Sequence, residues 1–165
     1  MGYYSEVLQR SLARSYDLVK LLLSDLSDDE LLVRPVPEAN CIAWELGHLI
    51  LRDYRLLGSQ GLGVNYPDLP TGFEQQHSDA TAGSEPPVGF LCKAEYMDLL
   101  ATIHQATLSA LASLADTDLD APAKGEARTW AMSLGDVCLQ AVDERGAELG
   151  QLTIVRRKLG KPILF

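Results

Sequence analysis

Residues 133–160, SLGDVCLQAVDERGAELGQLTIVRRKLG, read as one long helix with both ends marked. Ser133, with Asp136 three residues on, resembles a capping box, in which hydroxyl and carboxylate accept from backbone N–H groups that the first turn leaves free. Glu144, Glu148, Gln151 and Val155 stack along one stripe at steps of three and four. The helix is expected to run to Leu159, with Gly160 as the residue past its end and Pro162 barring continuation. Arg156, Arg157, Lys158 and Lys161 gather there, where positive charge complements the helix dipole. An anion-binding role for that cluster is the alternative.

Working back from this helix, three more appear. From Tyr4 to Leu26 the apolar residues Val7, Leu8, Leu12, Tyr16, Val19, Leu23 and Leu26 fall at helical spacing. Ser27-Asp28-Asp29-Glu30 marks a fresh, short helical turn, ended by Pro35 and Pro37. Asn40 is a good cap for a second helix over Cys41–Ser59, stopped by Gly58, Gly61 and Gly63. A third helix spans Leu91–Leu114 with the stripe Met97, Leu100, His104, Leu108, Leu111 and Ala115. Between the second and third lies a long glycine- and proline-rich loop, residues 61–89, which reads either as a lid or as a variable surface excursion. His77 within it reads as solvated, and His104 as a hydrogen-bonded core residue. No repeat and no strand with clean alternation is found. The fold class is all-α, a four-helix bundle, in a single domain over residues 1–165. The apolar tail Ile163-Leu164-Phe165 would pack back onto the bundle or onto a second copy.

At 165 residues, 47% hydrophobic and 22% charged, the chain suits an ordinary globular domain. Fourteen Lys and Arg against 23 Asp and Glu give a net charge of -9, which argues against nucleic acid and anionic membranes as partners. No apolar run approaches the ~18–20 residues that span a bilayer, and Met1 to Glu6 show no signal-peptide pattern. The three cysteines, Cys41, Cys92 and Cys138, are odd in number and widely spaced, and read as buried free thiols. A cytoplasmic location is therefore expected. Phosphate loops, the G-x-S-x-G elbow, H-E-x-x-H and zinc-ribbon spacings are all absent from the sequence.

A bundle builds its sites from side chains on facing helices. Trp44 and His48 share one face of the second helix, continued by Arg52 and Arg55. Glu144 and Glu148 are like charges at i,i+4, a pair that destabilises an isolated helix by roughly 0.2–0.5 kcal/mol. Relief must come from water, an Arg of another helix, or a bound cation. One imidazole and two carboxylates would give a divalent metal three ligands and open positions, able to activate a water or a thiol. Alternatively Arg52 or Arg55 pairs with Glu144 or Glu148 and His48 is a satisfied core residue.

Two segments resemble the DinB/YfiT-like superfamily of four-helix-bundle metalloenzymes. Asn40-Cys41-Ile42-Ala43-Trp44-Glu45-Leu46-Gly47-His48-Leu49 is similar to that family's N-S-I-A-W-x-x-x-H-L entry into helix two. Glu144 to Gly160 is similar to its H-x-x-x-H-x-G-Q-x-x-x-x-R-x-x-x-G ending, and Asp29-Glu30-Leu31-x-x-Arg34-Pro35-x-Pro37 to the turn before helix two. The resemblance implies a divalent metal on His48, Glu144 and Glu148, with Zn, Ni, Fe or Mn as candidates. His48 matches the family in type, whereas the two glutamates stand where the family has histidines. It also implies a thiol-dependent S-transferase or hydrolase-like enzyme using a low-molecular-weight thiol such as mycothiol, bacillithiol or glutathione. In that reading Trp44 walls the site, Arg52 and Arg55 hold an anionic group of a small-molecule ligand, and the loop roofs the opening. A homodimer is expected on the same ground. The rival expectation is a non-catalytic homo-oligomeric bundle, without metal, whose ancestral site has become a salt-bridge network.

Overall fold

A computed structural model of the chain describes residues 2–84 and 89–164; Phe165 and part of the expected loop lie outside them. Four long helices carry the fold: α1 (Tyr3–Leu23), α3 (Ile42–Gly58), α5 (Lys93–Ala112) and α6 (Leu134–Lys158). Two single-turn helices, α2 (Asp28–Leu31) and α4 (Phe73–Gln76), and three 3-10 turns fill the connections. α6 packs against α1 and α3, and α5 packs against the same two, so the order round the bundle is α1, α6, α3, α5. Among the described residues there is no strand, only an isolated bridge between Pro122 and Ser133. No helix among them is long and apolar enough to cross a membrane.

The helix ends follow local chemistry. α1 stops three residues earlier than its apolar stripe suggests, because Ser24 turns its hydroxyl back to the Leu21 carbonyl and Ser27 opens α2 with a capping box. The start of α1 is capped from a distance: the Asp116 carboxylate accepts from the Tyr4 and Ser5 amides at 2.9 and 3.1 Å. Asn40 does not cap α3; Cys41 holds that position, and the Asn40 carboxamide oxygen accepts from the Gly83 amide, tying the long connection to the helix start. At α6 the expected box is present. Ser133 Oγ accepts from the Asp136 amide at 3.2 Å, and Asp136 Oδ2 accepts from the Met132 and Ser133 amides, both at 2.9 Å. Ser133→Ala should cost about 1 kcal/mol, read as a lower urea midpoint at an unchanged denaturant slope.

The core divides into two apolar clusters. One is built around Val19, Leu49, Ile50, Phe73, Tyr96, Ile103 and Leu152, the other around Leu12, Leu57, Leu111, Val137 and Ala141. Between them in sequence, on all four long helices, lie buried polar residues: Ser15, Asp53, His104 with Thr107, and Arg145. Arg145, at 1% exposure, donates to Asp53 Oδ2, to the Leu12 carbonyl at 3.3 Å, and at 3.5 Å to Ser15 Oγ and toward His104 Nδ1. Burial and the adjacent guanidinium push His104 down to about 4, so its imidazole is neutral and can accept. His104 is thus the core residue expected, stacked on Tyr16 at 4.5 Å. Cys41 and Cys138 are buried free thiols, while Cys92 is only partly covered. In the tail, Ile163 is largely exposed.

Candidate functional site

The connection between α3 and α5 packs closely on α3. Phe73 is buried, and His77, read from sequence as solvated, has no exposed surface at all. Its ring lies against Phe73 at 4.4 Å and Phe90 at 5.4 Å, and its Nε2 meets the Tyr96 hydroxyl at 3.1 Å. Burial drives its pKa down to about 4. The apolar and aromatic company of Phe73, Phe90 and Tyr96 outweighs the polarity of one neutral imidazole, and this is why the loop folds inward.

That packing surrounds His48. The His77 carbonyl faces His48 Nδ1 at 2.9 Å, and since a carbonyl only accepts, Nδ1 carries the proton and donates. Trp44 stacks on the face of the His48 ring at 4.5 Å, its own Nε1 donating to Thr81 Oγ1 at 3.1 Å. His48 Nε2 is left facing Asp79 Oδ1 at 3.7 Å, beside a cleft of about 530 Å³. Arg52, Arg55, Trp130, Gln140 and Glu144 also line that cleft.

Of the residues singled out from sequence, His48, Arg52, Arg55 and Glu144 therefore meet at one opening. Trp44 backs His48 and does not itself line the cleft, and Glu148 lies apart from its walls. Arg52 donates to Glu144 Oε1 at 2.7 Å, and Gln140 Nε2 donates to the same oxygen at 3.1 Å. Arg55 reaches Glu74 at 3.3 Å, with both side chains about half exposed. Glu148 faces Glu45 of α3, a residue the sequence reading passed over. Burial first, then hydrogen bonding and repulsion from Glu45, raise Glu148 to about 9. It is therefore a neutral acid near pH 7, able to donate to Glu45. One oxygen of each acid on α6, Glu144 Oε2 and Glu148 Oε2, is buried without a hydrogen-bond partner.

This donor set does not fit a resident divalent metal as it stands. Among the described residues no group of three or more His, Cys, Asp or Glu side chains is arranged to hold one. Glu144 is committed to Arg52, His48 is directed toward Asp79, and Glu148 lies apart from the cleft that those two line. A guanidinium lies where the α6 acid needs positive charge.

The chain is thus a four-helix bundle with a Trp44-backed histidine on α3 and one acid of α6, Glu144, lining the same open cleft. The DinB superfamily profile matches residues 11–152, and the chain belongs to that family. A conserved protein from Enterococcus faecalis, known from its crystal structure, shares the fold with a TM-score of 0.68 and 18% identity, over 98% of this chain and 99% of that one. No curated protein matches the sequence.

Proposed function

We propose that this member of the DinB superfamily acts on a small polar molecule in the α3–α6 cleft, as a hydrolase or thiol transferase, with His48 as general base. The observation that carries this is the His48 imidazole: its Nδ1 is engaged by the His77 carbonyl, which leaves Nε2 turned toward Asp79 at the cleft. Nε2 would take the proton of an attacking water or thiol, and the imidazolium so formed would be stabilised by Asp79 at 3.7 Å. Arg52 keeps donors free beyond its bond to Glu144, and Arg55 gives up only an exposed pair with Glu74 to meet an anionic group. Positive charge at the cleft would come from Arg52, beside Glu144. The metal-dependent alternative requires Glu144 to leave Arg52 and Glu148 to release its proton.

The test uses intact chain purified without chelating resin. Elemental analysis should find metal far below one equivalent per chain. Turnover of an activated ester bearing a carboxylate, or of an electrophile with a low-molecular-weight thiol, should survive EDTA and fall by roughly 100-fold or more in His48→Gln. Arg55→Ala should raise KM with little change in kcat. Stoichiometric metal, lost together with activity on chelation, would overturn this reading in favour of the metal-dependent one.

A further inference from the structure

We propose that His77 and Gly47 form a positioning clamp that fixes the tautomer of His48, a proposal that rests on the reading of His48 as the base of the cleft. Gly47 sits inside α3, one residue before His48, where a glycine costs roughly 0.5–1 kcal/mol relative to alanine. The space its missing side chain leaves is taken by the His77 ring, which the Cβ of any other residue at 47 would overlap. The helix tolerates the weaker helix former because the ring can then lie directly on its backbone.

With the ring seated there, the rest of the segment follows. The His77 carbonyl, part of the same residue, is delivered to His48 Nδ1 at 2.9 Å. Phe73 and Tyr96 hold the ring from the far side, at 4.4 and 5.7 Å. Two residues on, Asp79 stands at His48 Nε2, and Thr81 accepts from the indole of Trp44, the ring stacked on His48. At 3.7 Å Asp79 is beyond hydrogen-bond reach of Nε2, so the hydrogen bond that selects the tautomer is the one from Nδ1 to the His77 carbonyl, while Trp44, held by Thr81, covers the ring face. Neutral imidazole carries one proton, and a carbonyl at Nδ1 keeps it there. His77 acts through His48 and touches nothing in the cleft, so its role is positioning.

The experiment is long-range proton–nitrogen NMR of the imidazoles in uniformly 15N-labelled, intact chain, at a pH above the imidazole range. The sequence has only three histidines, and His48→Gln identifies the His48 signals. The wild-type chain should show His48 with Nδ1 protonated and Nε2 bare. Gly47→Ala should unseat His77 and shift His48 to the Nε2-protonated form or an exchanging mixture. His77→Ala, which leaves the α3 sequence intact, should do the same and serves if Gly47→Ala does not fold. His77→Phe refills the notch with an aromatic ring and should restore the wild-type pattern. An Nε2-protonated His48 in the wild-type chain, or a wild-type pattern in folded His77→Ala, overturns the clamp; so does failure of His77→Phe to restore it. Because the readout needs no ligand or turnover, a chain that keeps the Nδ1 tautomer yet processes no probe overturns the proposed function alone.

Discussion

Asp53→Ala should destabilise the fold by about 3–5 kcal/mol, a large fraction of what a domain of this size has to lose. Asp53 and Arg145 are 2% and 1% exposed at their side chains, and the carboxylate accepts directly from Arg145 Nη2. Removing the acid strands a guanidinium in a place water does not reach, where an uncompensated charge costs far more than a lost hydrogen bond. The remaining partners of Arg145, the Leu12 carbonyl and Ser15 Oγ, carry no formal charge and cannot replace it. Replacing both residues by leucine should recover most of the loss or exceed the wild type, since a buried pair is offset by its desolvation. Chemical denaturation of the two single variants and the double variant gives the coupling directly. The half-exposed pair Arg55–Glu74 is the internal control: Glu74→Ala should change stability by no more than about 1 kcal/mol. A cost for Asp53→Ala no greater than the control's would show that Arg145 is hydrated, against the burial described above.

The same residue shows where sequence reading stops. Bundle architecture was legible, because periodicity and caps are local signals, and the four long helices begin and end within a few residues of expectation. The stripe singled out on α6 runs beside the helix's main buried line. Cys138, Ala141, Arg145, Leu149 and Leu152 are the buried line, running at steps of three and four through an arginine. A charge at a core position reads as polar, so the neighbouring line through Glu144 and Glu148 looks more like a site. That line is indeed half-covered, and Glu144 does reach Arg52, one of the pairings the residues left open. Glu45 was missed because nothing in α3 alone says that an acid one residue past Trp44 will face an acid on α6. Asp79 and His77 were missed for a different reason. Their placement depends on a tertiary contact between a loop and Gly47, and the sequence trace of it is a single glycine inside a helix.

Glu148→Gln should make the protein more stable at alkaline pH. The sign follows from the proton balance. The Glu148 carboxyl titrates near 9 when folded and near its ordinary value of 4.5 when unfolded. Below about 4.5 both states hold the proton and the group is neutral in the balance. As pH rises from 4.5 toward 9 the unfolded chain releases the proton while the folded chain keeps it, so stability falls at up to about 1.4 kcal/mol per pH unit. Above 9 both states are ionised and the loss stops growing. Glutamine keeps the shape and the donation toward Glu45 without any ionisation to suppress. The two proteins should therefore match near pH 4.5 and diverge as pH rises, reaching roughly 2–4 kcal/mol in favour of the variant near pH 8. Carboxylates such as Asp25 and Glu30, held low by Arg156 and Lys161, titrate alike in both proteins and cancel in the difference. Urea midpoints across that range measure it. A variant that is less stable at every pH, in parallel with the wild type, would mean that Glu148 is ionised in the folded chain and held by a cation.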